Sequence, residues 1–274
     1  MRKKKLGVLG GLGPLATVDF LDKFYRLSQA TVDQDHPLIA VRFCTQAPDR
    51  SAFLNGTGLS PLPDMIAAAQ AMREEGAEAA VLLCNTAHIW LDEIAEAAGL
   101  PFLDIAKTAL AEVRVTDAPV GVLCTPWTVM GKVYSRHAGR ITLVDPSHAV
   151  LNEILMPAIR AVKAGRLEEG RLGALTAIEY LQRQGCKSVV LGCTELPLVL
   201  SPSDTDMQVI DATESLARTA LQWSQFDGSD GGYASSLWSQ HVASGRLRTA
   251  TLRQFSLQPD CGRQIPSPEP APHT

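Results

Sequence analysis

The sequence has 274 residues, with 46 % hydrophobic and 20 % charged side chains and a formal net charge of −4. That balance fits a globular chain long enough for two modest α/β lobes and gives no electrostatic reason to expect nucleic acid. No apolar stretch approaches the length of a membrane span. The basic run Arg2-Lys3-Lys4-Lys5 leads into a glycine-broken strand rather than an export signal, so the expected location is the cytoplasm.

Residues 5–10 read as a first strand, followed by the glycine turn Gly10-Gly11-Leu12-Gly13-Pro14 and a helix over 16–29. The turn lacks the register of a dinucleotide fingerprint and the Gly-Lys-Ser/Thr of a P-loop, which argues against a nucleotide. A second strand over 38–45 leads into Gln46-Ala47-Pro48-Asp49-Arg50-Ser51. An alanine-rich helix over 63–75 is stopped by Gly76.

Residues 80–83 (Ala-Val-Leu-Leu) form the unbroken apolar run of a strand buried on both faces. It ends at Cys84, where the cap-type residues Asn85 and Thr86 open a helical pattern through residue 94. Residues 100–104 are then a short strand ending in Asp104, with a helix over 105–113. Residues 116–119 read as the turn that crosses into a second lobe.

The second lobe repeats this order. A strand over 120–124 and the loop Thr125-Pro126-Trp127-Thr128 precede a helix near 129–137, a strand over 140–144 and helices over 151–164 and 168–184. The apolar run 188–191 then ends at Gly192-Cys193-Thr194, with Pro197 in the expected first turn of a helix. A strand ending in Asp211 and a last helix to about residue 223 close the repeat. The predicted fold is α/β: two similar lobes, each a parallel sheet flanked by helices and related by an internal pseudo-twofold repeat, with the site in the cleft between them. The lobes are assigned as residues 1–115 plus 208–225 and residues 116–207. Residues 226–274, rich in Gly, Ser and Pro without periodicity, read as a disordered tail.

The six cysteines (Cys44, Cys84, Cys124, Cys186, Cys193 and Cys261) are expected as free thiols. The sequence has no CxxC, HxxxH or HExxH, so no metal is expected. Cys44, Cys124 and Cys186 read as core residues. Cys84 and Cys193 end matching strands in matching loops, where free backbone N–H groups are expected to lower a thiol pKa. Two such thiols facing one substrate form an acid–base pair that removes a proton from one side of a carbon and returns it from the other. Asn85, Thr86, Thr194 and the turn near Gly13 are candidate donors to the developing anion. His88 reads either as an acid–base partner or as a satisfied buried polar residue. Asp104 and Asp211 read as turn or cap residues.

Three stretches carry a resemblance: Gly10-Gly11-Leu12-Gly13-Pro14 with Thr17, Cys84-Asn85-Thr86-Ala87-His88, and Gly192-Cys193-Thr194-Glu195. They resemble the signatures of the cofactor-independent aspartate/glutamate racemases, on the aspartate racemase branch. The resemblance covers about residues 6–223. It implies Cys84 and Cys193 as acid and base, no pyridoxal phosphate, and a homodimer acting on an amino acid or dicarboxylate. It also implies that Arg50 and Lys163 hold a side-chain carboxylate, with Gly13, Thr17, Asn85, Thr86, Thr125 and Thr194 around the substrate. Where relatives commonly show Ala-Thr-Arg-Gly-Thr, this chain has Cys124-Thr125-Pro126-Trp127-Thr128, and Trp127 is expected to alter that wall. A maleate-type cis–trans isomerase and a non-catalytic dicarboxylate-binding module are the alternative readings.

Overall fold

A computed structural model describes residues 3–114 and 118–225, and the repeat read from the sequence is its architecture. The first half runs β1 (Lys5–Gly10), α1 (Pro14–Ser28), β2 (Leu38–Phe43), α2 (Arg50–Leu54), α3 (Leu62–Glu74) and β3 (Ala79–Leu82). It ends with α4 (Leu91–Ala98), β4 (Phe102–Leu103) and α5 (Ile105–Ala111). The second half runs β5 (Val120–Leu123), α6 (Pro126–Met130), β6 (Leu143–Val144), α7 (Met156–Lys163) and α8 (Leu167–Arg183). It closes with β7 (Ser188–Leu191), β8 (Gln208–Asp211) and α9 (Ala212–Gln225).

All strand pairs are parallel, and the two four-stranded sheets have the same order, β2-β1-β3-β4 and β6-β5-β7-β8. Strands β3, β5 and β7 are buried along their whole length. That is why they read as unbroken apolar runs: helices cover both sheet faces. One core contains Leu6, Phe20 and Val81 of the first half together with Val122, Val190 and Leu216 of the second, so the lobes share an interior. Two outer cores lie beneath α3 and α4 and beneath α7 and α8.

In each sheet the chain leaves the two central strands in opposite directions, β1 toward β2 and β3 toward β4. The crevice at the carboxyl ends of such a pair is where open α/β sheets bind ligands. Cys84 stands two residues beyond β3, and Cys193 two residues beyond β7. The repeat thus puts both thiols at equivalent switch points.

Several expectations need correction. Strand β8 pairs with β7 along Ser188↔Gln208 to Leu191↔Asp211, so residues 208–211 belong to the second sheet and not to the first lobe. Helix α9, which follows, packs against α1 and α5 of the first half. The helix expected over 129–137 is two short pieces, α6 and a 3-10 turn at Ser135–His137, because Lys132 takes a left-handed backbone (φ 53°). Between Cys193 and β8 there is no α-helix; the chain makes the 3-10 turns Leu196–Leu198 and Pro202–Asp204. The expected disordered tail over 226–274, with Cys261, and the first half of the crossing turn over 116–119 lie outside the described residues.

Candidate active site

The segments after β2, β3, β5 and β7, with helix α7, line one cavity of about 230 Å³. This is smaller than a pocket for a drug-sized ligand and suits a small metabolite. Arg50, Cys84, Asn85 and Thr86 of the first half line it, facing Thr125, Lys163, Cys193 and Thr194 of the second. Two thiols from two repeats therefore open onto the same space.

Cys193 is buried, and its Sγ donates a hydrogen bond to Glu195 Oε2 at 3.1 Å. Burial pushes this thiol well above its ordinary pKa and the Glu195 carboxylate adds to the rise, with Lys163 pulling the other way. The expected lowering at a helix N-terminus is overturned at Cys193. The following 3-10 turn is only three residues long, and the nearest charge is negative.

Glu195 also lines the cavity. Its Oε1 lies 3.4 Å from Lys163 Nζ. A Cβ added at Gly13 would stand 2.3 Å from that same Oε1. Gly13 therefore makes room for a carboxylate delivered by the other lobe, and it does not line the cavity. Thr17 does not line it either. Its Oγ1 accepts from Gly11 N–H at 2.8 Å and donates to Gly13 O at 3.0 Å, which uses it to staple the glycine turn. Gly11 needs its glycine: φ is +79°, and a Cβ would meet Cys44 N at 2.6 Å. Gly13 and Thr17, expected around the substrate, thus lie outside the cavity lining.

Two cations converge beside Glu195. Arg50 is buried; its Nη2 donates to Leu12 O at 2.6 Å, and Lys163 Nζ reaches the same oxygen at 3.5 Å. Burial opposes the charge on Lys163, but Glu195, Cys84 and Cys193 outweigh it, so its pKa is raised. Arg160, one turn before Lys163 on α7, lines the cavity as a third cation.

Uncharged donors form the other wall. Thr86 Oγ1 bonds Thr125 Oγ1 at 2.8 Å and Thr128 Oγ1 at 3.2 Å, joining the lobes at the cavity edge. Thr125 also caps α6, accepting from Thr128 N–H at 3.2 Å. The wall at this point is Thr125, and Trp127 is not part of the lining. Among the described residues four buried side-chain polar atoms have no hydrogen-bond partner, and three belong to this cavity: Arg50 Nε, Asn85 Nδ2 and Glu195 Oε1. Unmet hydrogen-bonding capacity in a buried site calls for a ligand or solvent to satisfy it.

His88 is fully buried away from the cavity. Its Nδ1 donates to Cys84 O at 2.8 Å, and its Nε2 accepts from Ile105 N–H at 3.1 Å. Burial pushes its pKa down, so the ring stays neutral. Of the two roles open to it, the satisfied buried group is the one observed. Asp104 caps α5, accepting from Ala106 N–H and Lys107 N–H. Asp211 likewise accepts from Thr213 N–H and Glu214 N–H at the start of α9.

Sequence reasoning did not place Glu195, Arg160, Met156 or Ile159 in the lining. Glu195 stood out only as a departure from the glutamate racemases. Its partner Lys163 and its neighbour Gly13 are distant in sequence.

The sequence model of the Asp/Glu/hydantoin racemase family matches residues 9–220. Among curated proteins, the chain is 24 % identical over 225 residues to the broad specificity amino-acid racemase RacX of Bacillus subtilis, covering 79 % of this chain and 96 % of that one. Among solved structures, it is similar to the Picrophilus torridus aspartate racemase, with 28 % identity and a TM-score of 0.72 over 81 % of this chain and 94 % of that one. It also shares the fold of PH1733, an aspartate racemase homologue from Pyrococcus horikoshii, at 23 % identity and a TM-score of 0.64, covering 81 % of this chain and 100 % of that one.

Proposed function

The chain belongs to the Asp/Glu/hydantoin racemase family, and from that premise we propose that it is a cofactor-independent racemase of aspartate or glutamate. In this reading Cys84 and Cys193 exchange the α-proton from opposite faces of the substrate. The observation that carries it is the opening of both thiols, one from each repeat, onto a single small cavity.

The thiolate of Cys84 takes the α-proton, and the C–H electron pair passes to the α-carbon and its carboxylate. Cys193, a neutral thiol in the free protein, gives its proton to the opposite face. Forward turnover leaves Cys84 as the thiol and Cys193 as the thiolate, which is the pair that runs the reverse direction. Lys163, whose charge pulls the Cys193 pKa down, favours that thiolate against the Glu195 carboxylate beside it. The free Nδ2 donor of Asn85, with the threonine hydroxyls beside it, suits the α-carboxylate as negative charge builds on it. Arg50 and Lys163, with Arg160 nearby, suit a second carboxylate, which favours acidic substrates over neutral ones. A homodimer belongs to the same proposal. Leu38 and Phe43 on the edge strand β2, and Leu15 and Val18 on α1, stand about half exposed.

The test is a circular dichroism assay of both enantiomers of aspartate and glutamate, using protein dialysed against chelator and given no pyridoxal phosphate. Because enantiomers are equal in energy, kcat/KM must come out equal in the two directions. Racemisation of neither acid, or activity recovered only on adding a cofactor, contradicts the proposal.

A further inference from the structure

Tyr134 is fully enclosed between the two cysteine loops, and no step above uses it. Its hydroxyl donates to Asn85 Oδ1 at 2.6 Å, across the boundary between the lobes. Its ring fills the space beside Gly192, where an added Cβ would meet Tyr134 Cε2 at 3.0 Å. One side chain therefore touches the residue after Cys84 and the residue before Cys193. Asn85 is itself 3 % exposed and lines the cavity, and its Nδ2 is left without any partner.

An asparagine amide can present either its oxygen or its two N–H groups to a ligand, and rotation by half a turn exchanges them. The phenol decides between them. Burial holds its pKa far above the ordinary tyrosine value, so it keeps its proton and donates. With Oδ1 taken, both N–H groups of Nδ2 remain for the cavity. The opposite orientation would set a carbonyl oxygen beside a substrate carboxylate.

We infer that Tyr134 is a positioning residue for substrate recognition: its hydroxyl locks the Asn85 amide with its donors toward the cavity, and its ring ties that lock to the Cys193 loop. The inference rests on the proposed reading only in taking a carboxylate as the group Asn85 meets.

The experiment is a double-mutant cycle in the full chain with Y134F, N85A and the two combined. Phenylalanine keeps the ring and removes one oxygen, so packing against Gly192 is retained. Two quantities are measured: kcat/KM for aspartate racemisation, and the dissociation constant for succinate by calorimetry. Each single change is expected to weaken both by roughly 10- to 100-fold, the scale of a hydrogen bond to a charged group. The combination should be no worse than N85A alone, because Tyr134 acts through Asn85. A merely structural tyrosine would lower the melting temperature and leave the two effects multiplying. Multiplying effects, or a Y134F variant within about twofold of wild type, overturn the inference. If the wild type binds succinate but racemises neither acid, the racemase reading fails while the succinate cycle still decides the role of Tyr134. A wild type that neither binds succinate nor racemises overturns both.

Discussion

Replacing Gly13 by alanine tests how the lobes cooperate at the site. The Gly13 backbone is extended (φ −160°, ψ 104°), so alanine is conformationally allowed there and the whole cost lies in its methyl group. That methyl would stand 2.3 Å from Glu195 Oε1, and the carboxylate must retreat by about 1 Å or more to reach ordinary contact. Retreat strains the 3.1 Å bond from Cys193 Sγ and the 3.4 Å approach of Lys163. Losing one charge-assisted hydrogen bond is worth about 1.5–3 kcal/mol, so we predict a fall in kcat/KM of roughly 10- to 100-fold. The fall must be equal for both enantiomers, since their equilibrium constant is unity. Shortening the acid removes the collision: in an E195D background, adding G13A should cost little. The assay is racemisation by circular dichroism for the four members of this cycle. Wild-type activity in G13A, or the same loss in both backgrounds, refutes the reasoning.

Two further predictions concern the scaffold. In H88A the Cys84 carbonyl and the Ile105 N–H lose their buried partner. At about 1–3 kcal/mol for each of the two unmet groups, we predict a stability loss of about 2–6 kcal/mol by urea denaturation; a midpoint unchanged from wild type contradicts this. The second is a pH dependence at Asp104. Burial works against its charge, but the hydrogen bond with His137 and the charge of Arg136 hold its carboxyl well below the usual carboxylate range. Because the folded pKa lies below the unfolded one, its stabilisation is present above about pH 4 and fades as pH falls toward the folded value. D104N, which can still cap α5 through its remaining oxygen, should therefore be less stable than wild type at neutral pH. The gap should narrow in acid, and one that stays constant with pH would contradict the assignment.

The features legible in the sequence were those that local pattern encodes. Strands buried on both faces write themselves as runs such as 80–83 and 188–191. The punctuation after each run revealed the repeat and placed Cys84 and Cys193 at strand ends. What escaped were features made by distant partners. Glu195 matters because Lys163 and Gly13 approach it, and no local pattern announces such a meeting. Tyr134 lay in what read as an ordinary helix, so its reach to Asn85 left no trace. The edge of the first lobe was misjudged at Gln208–Asp211 for a related reason: α9 packs on α1 and α5, while the strand just before it completes the other sheet. The lowered thiol pKa failed at Cys193 because the expected helix is a single turn and the nearest charge belongs to Glu195.

The central claim is that Cys84 and Cys193 serve opposite faces of the α-carbon, and α-deuterium exchange in heavy water tests it most directly. In C84S or C193S the substituted hydroxyl cannot ionise near neutral pH, so racemisation should fail in both variants. Each remaining thiol can still remove and return a proton on its own side. We predict that C84S exchanges the α-proton of one enantiomer and C193S that of the other, each without inversion. Exchange of the same enantiomer by both variants, or racemisation at the wild-type rate by either, would contradict the two-thiol account.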